Sequence, residues 1–157
     1  MRNKNNLLHI ITVISFAVFI ILGLACATNN NTVANTADLS KYNYATISNV
    51  MGYGGSSSLM DMEVKIYNAL ANTRLQMIGD REIGNISDDV KASLLEVRFS
   101  ATTSSGNNTV SINFVEYISG RPVASVRGQA LSLIVAGDTI NTATDRAIAE
   151  AVKLFPR

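Results

Sequence analysis

The chain has one cysteine, one histidine and no tryptophan in 157 residues. The single histidine, His9, sits in an N-terminal apolar run, so the rest of the chain has no imidazole for a catalytic triad, a proton shuttle or a zinc site. The single cysteine, Cys26, has no partner for an intrachain disulfide. Neither G-x-S-x-G nor S-x-x-K occurs, which removes the common serine-hydrolase signatures. The alternating acidic spacing of a calcium loop and the G-K-S/T ending of a phosphate loop are missing too. Without tryptophan there is no indole to stack on sugars. Charge of one sign is also lacking: removing Arg2 and Lys4 with the leader leaves 11 of the 13 basic residues against 12 acidic ones. Such a balance supplies no basic face to neutralise phosphates. These absences predict no catalytic residue, no metal, no cofactor and no nucleic-acid partner.

What is present begins with "MRNKNNLLHIITVISFAVFIILGLAC", two basic residues, an apolar stretch from Leu7 to Ala25 and then small residues. This is the layout of a secretory signal, which assigns residues 1–25 to a signal peptide. An uncleaved membrane anchor is the alternative, because about 20 apolar residues can span a bilayer. Either way the remainder is exported. Cys26, preceded by Gly23, Leu24 and Ala25, resembles a bacterial lipobox, whose cysteine is acylated and becomes the new N-terminus. Ala25-Cys26-Ala27 also fits an ordinary signal-peptidase site with cleavage after Ala27. Lipidation gives an otherwise purposeless lone cysteine a role. Residues 26–40, polar and small, then read as the lipidated cysteine and a flexible tether, and residues 41–157 as one domain.

Within that domain "YNYATISNV" reads as a first strand, and the turn-rich "GYGGSSS" follows it. A helix follows, with Ser58 before it as a cap. On it Met60, Val64, Tyr67 and Ala71 form one apolar stripe and Leu59, Met62, Ile66 and Leu70 an adjoining one. Together they predict a broad face lying on a sheet. "LQMIGDREI" reads as a second strand, and Ser87 with Asp88 and Asp89 marks a helical turn. Three stretches of period two follow: Leu95, Val97, Phe99 and Ala101; Val110, Ile112 and Phe114; and "RPVASVRGQALSLIV", where Val123, Ser125 and Arg127 oppose Ala124 and Val126. Turns at "TTSSGNN" and "SGRP" make them an antiparallel meander. Ile140, Ala143, Ala147, Ala151 and Leu154 then repeat at helical spacing, with alanines slim enough to approach a sheet closely. The expected fold is α/β of the α+β kind: two helices on a mostly antiparallel sheet of about five strands, in the order β-α-β-β-β-β-α.

Candidate sites are few. Arg98, Arg121 and Arg127 alternate with apolar residues and suggest a cationic stripe on the outward sheet face, for partner docking. Tyr53, Gly54 and Gly55, before the first helix, suggest a ligand loop. Asp61 with Glu63, Asp80 with Glu82, and Asp88 with Asp89 are local carboxylate pairs, but a glycosidase needs two carboxylates across one cleft.

"IYNALANTRLQMIGDREI", ending in Asp80, Arg81 and Glu82, resembles the helix-to-strand passage of bacterial envelope lipoproteins related to the curli secretion component CsgG and the penicillin-binding-protein activator LpoB. "TVSINFVEYISGRPVASVRGQA" is similar to their hairpin, with Glu116, Gly120, Val123, Ala124 and Ser125 in the corresponding places. The similarity spans roughly Tyr42 to Phe155, departs at the first strand and lacks the membrane-spanning hairpins of the curli pore. It implies a lipid-anchored, non-enzymatic accessory or adaptor protein of the cell envelope that binds another envelope protein. Ala27 after the cysteine favours the outer membrane, facing the periplasm. A small-ligand or glycan-binding periplasmic module is the alternative.

Overall fold

The structure, a computed structural model, describes residues 30–34, 37–47, 57–104, 106–131 and 139–157. Six strands form one sheet: β1 (Asn30–Val33), β2 (Tyr44–Ile47), β3 (Gln76–Met77), β4 (Leu94–Ser104), β5 (Asn107–Glu116) and β6 (Pro122–Leu131). Their spatial order is β1-β6-β5-β4-β2-β3. The pairs β1/β6, β6/β5 and β5/β4 are antiparallel, and β4/β2 and β2/β3 are parallel. The helices are α1 (Ser57–Ala71), the short α2 (Asp88–Ala92) and α3 (Thr139–Leu154). The fold is thus α+β, with a mostly antiparallel sheet.

Alternation along the meander decides which face is covered. Register aligns Val97, Phe114 and Ala124, and in the next row Phe99, Ile112 and Val126, so their side chains share one face. All are buried, and the core cluster joins them to Met62, Ile66 and Leu70 of α1 and to Ala143, Ala147 and Ala151 of α3. Helix α3 packs over β5 and β6 and reaches β1, while α1 packs on α3 and β3. Both long helices therefore lie on one sheet face. Each large aliphatic side chain buried there contributes roughly 1.5–3 kcal/mol from the area it removes from water. The alanine stripe of α3 lies against Gly128 of β6, where any side chain would meet the helix main chain.

Three local details differ from the sequence reading. The segment taken as a tether contributes a sixth strand: Asn30–Val33 pairs with Arg127 to Ala124 along the edge of β6. Asn31 Nδ2 also donates to Glu150 Oε2 on α3 at 3.4 Å. The second strand is only two residues long, because Ile78 and Gly79 lead straight into a turn. Val123 does not alternate outward. Register jumps from Phe114↔Ala124 to Val115↔Pro122, and the extra residue turns Val123 inward, where it is buried.

Candidate functional site

Helix α1 departs most from expectation. Only the row of Met62, Ile66 and Leu70 is buried. The other row is left in solvent: Met60 is 58% exposed, Val64 58% and Tyr67 42%, and Ala71 beyond them is exposed as well. Sitting at the margin of the sheet, beside the short strand β3, α1 finds among the described residues neighbours enough to bury one row and not two. Exposed apolar rows on a helix are a common mark of an interaction surface.

Tyr67 also lines a cleft of about 550 Å³. Ile47 at the end of β2 and Met77 and Ile78 at the end of β3 supply its apolar side, with Glu63 on α1 and the turn Gly79-Asp80-Arg81-Glu82 at the rim. The volume is that of a ligand or side-chain pocket. The structure thus brings Glu63 into one cleft with Asp80 and Glu82, which no local pair in the sequence could show. Asp80 Oδ1 accepts from Thr46 Oγ1 at 3.4 Å, and Glu82 Oε2 from the Gly79 N–H at 3.4 Å. Asp80 and Glu82 are exposed to solvent. Among the described residues no three His, Cys, Asp or Glu side chains gather closely enough to hold a metal ion.

A second polar cluster closes the far end of the hairpin. Glu116, the last residue of β5, accepts from Lys41 Nζ at 2.7 Å and Tyr42 Oη at 3.1 Å on one oxygen, and from Ser119 Oγ on the other. The Lys41 ammonium, more than any other neighbour, holds the Glu116 carboxyl down to about 2. The carboxylate in turn raises Lys41, and burial pushes the Tyr42 phenol up. Gly120, at φ +68°, lets the chain turn back so that its N–H reaches the Glu116 carbonyl at 2.8 Å. Arg74 holds the same segment from the other side, its guanidinium donating to the Leu39 and Tyr42 carbonyls. The cluster straps residues 39–42 onto the sheet. Nothing in its sequence spacing signals this, since Lys41 and Glu116 lie 75 residues apart.

The three arginines of the expected stripe are divided. Arg98 and Arg127 do share the sheet face opposite the helices, two strands apart, a lateral separation of about 10 Å. Arg98 is clasped by Glu96 through Nε at 2.9 Å and Nη2 at 2.7 Å. Arg121 is in the β5–β6 connection instead, lining a small pocket of about 110 Å³ with Lys41, Tyr42 and Glu116. The turn takes it out of the alternation, so no three-residue stripe forms. Around Arg98 and Arg127 the face carries Ser100, Ser111, Asn113, Ser125 and Thr32. It is a polar surface, on which Ser125 Oγ also donates to Asn113 Oδ1 at 2.8 Å. Cys26 and the expected ligand-loop residues Tyr53, Gly54 and Gly55 lie outside the described residues.

No protein-family model matches the chain, and no curated protein sequence matches it. Among solved structures it is similar to a PelC dodecamer from Paraburkholderia phytofirmans, at 14% identity and a TM-score of 0.44 over 83% of this chain and 99% of that one. A leucine-to-methionine variant of the same dodecamer gives 15% identity and a TM-score of 0.48 over 83% and 98%.

Proposed function

We propose that the chain is an exported, lipid-anchored, non-catalytic accessory protein of the bacterial cell envelope that binds another envelope protein, as an activator or assembly factor. The leader and Cys26 support the anchor, and the outer membrane facing the periplasm is the location that Ala27 favours. The observation that supports partner binding best is the row Met60, Val64 and Tyr67, left exposed on a helix that buries Met62, Ile66 and Leu70. An apolar row in water is a cost that association removes.

The anchor is short. Ala27, Thr28 and Asn29 alone separate Cys26 from the first residue of β1, which allows at most about 14 Å between them. The domain is then held close to the bilayer, and its partner meets it there. Fractionation of Cys26→Ala should move the protein to the soluble fraction, with the mass of the wild-type N-terminus showing the acylated cysteine. A photo-crosslinking residue at position 64 should capture one discrete envelope protein in cells, while the same residue at position 127 should not. If Cys26→Ala stays in the membrane and position 64 captures nothing, the reading fails.

The cleft of about 550 Å³ favours one alternative, a small-ligand or glycan-binding module. Ile47 in its wall is the last described residue before the segment that holds Tyr53, Gly54 and Gly55, which the sequence reading takes as a ligand loop. Thermal shifts with cell-wall fragments and nucleotides test it: stabilisation by one of them, lost in Tyr67→Ala, would favour this reading over the first.

A further inference from the structure

We infer that the exposed row of α1 and the cleft beside it form one docking groove for a basic, amphipathic segment of the partner protein. The inference rests on the reading of the chain as an accessory protein and specifies its partner's chemistry.

Two observations carry it. The row and the cleft are continuous, because Tyr67 belongs to both: it follows Met60 and Val64 along the helix and lines the cleft with Ile47, Met77 and Ile78. A segment lying along α1 therefore finds apolar contacts over two helical turns and, at their end, a pocket large enough for a bulky side chain. The second observation is charge. Among the described residues of its lining, the cleft carries Glu63, Asp80 and Glu82 against one cation, Arg81. Asp80 and Glu82 have long 3.4 Å hydrogen bonds to Thr46 and Gly79 and, among the described residues, no salt bridge, to Arg81 or to any other cation, so their charge is available to an incoming group. An apolar floor with an acidic rim selects a bulky apolar side chain flanked by lysine or arginine, and repels the acidic counterpart.

The test uses the full chain in micelles of an uncharged detergent and two labelled probes of equal length, a leucine–lysine amphipathic peptide and its leucine–glutamate counterpart. The lysine peptide should bind and the glutamate peptide should bind at least about tenfold more weakly, a difference of about 1.4 kcal/mol. Glu63→Lys with Glu82→Lys should reverse that order. Tyr67→Ala should weaken the lysine peptide without changing the far-UV spectrum, which separates loss of the groove from loss of the fold. Equal binding of both peptides, no binding of either, or an unchanged preference in the double variant would overturn the inference. So would a concentration-dependent dimer that Val64→Asp dissolves, since a second copy would then own the row. Capture at position 64 with no charge preference among the peptides would leave the accessory-protein reading standing and remove only this inference.

Discussion

Gly128 of β6 lies so close to Ala147 of α3 that a methyl group on the glycine would overlap the Ala147 main-chain nitrogen and the Ala143 carbonyl oxygen. The helix and the sheet touch backbone to backbone at this point. Ala143, Ala147 and Ala151 permit that approach from the helix side, and only glycine permits it from the sheet side.

Gly128→Ala should therefore destabilise the protein, although alanine is the better residue for a strand. Overpacking of a closed contact costs typically about 1–3 kcal/mol. Urea unfolding should show a lower midpoint with the slope unchanged. Gly84→Ala, where a methyl meets nothing within 4 Å, is the matched control and should leave the midpoint in place.

The Lys41–Glu116 pair makes stability depend on acid. Glu116 is held at about 2 against an ordinary value of 4.5, so the unfolded chain binds the proton more readily than the folded one. Its contribution is complete above about 4.5 and is lost as pH falls toward about 2. Glu116→Gln should flatten the fall in melting temperature across that window. Lys41 is raised, so its share is present below 10.5 and declines only as pH rises beyond that value. An unchanged acid limb in Glu116→Gln would mean that the strap contributes nothing to stability.

The two rows of α1 should respond oppositely. Ile66 is 1% exposed, and Ile66→Ala should cost about 2–5 kcal/mol by removing buried volume. Val64→Ser, two residues away and on the solvent side of the helix, should change stability by no more than about 0.5 kcal/mol. Denaturation of the two variants side by side checks the assignment, and a large loss in Val64→Ser would show that the row is covered in the native protein.

Strand β1 should depend on Glu150. Glu150 is buried, accepts from Asn31 Nδ2 and pairs with Lys153 at 2.7 Å. Glu150→Ala removes the side-chain link between the edge strand and α3, leaving Asn31 Nδ2 without its acceptor. Amide exchange should quicken at residues 30–33 while β4 and β5 keep their protection. Exchange already rapid in the wild type would argue against a paired edge.

The meander and the closing helix were legible because their signals are local. Period two in Leu95, Val97 and Phe99 and spacings of three and four in Ala143, Ala147 and Ala151 each fix a face before any partner is known. Strand β1 was not legible: "NNTV" has no apolar alternation, and what holds it is main-chain pairing to β6, some 90 residues away along the chain. The groove was half legible. Met60, Val64 and Tyr67 stand out as a stripe, but the same periodicity describes a buried row and an exposed one.

By itself the sequence determined the class of the fold, the faces that β4 and β5 turn inward and the shortage of catalytic side chains, since composition and short-range periodicity decide these. Tertiary structure alone decided that α1 buries one row and exposes the other, that Glu63 shares a cleft with Asp80 and Glu82, that Arg121 leaves the sheet face to Arg98 and Arg127, and that Glu116 gathers Lys41, Tyr42 and Ser119. Each of these depends on how much neighbouring surface an element finds at its place in the sheet, and that is settled by contacts between residues far apart in the chain.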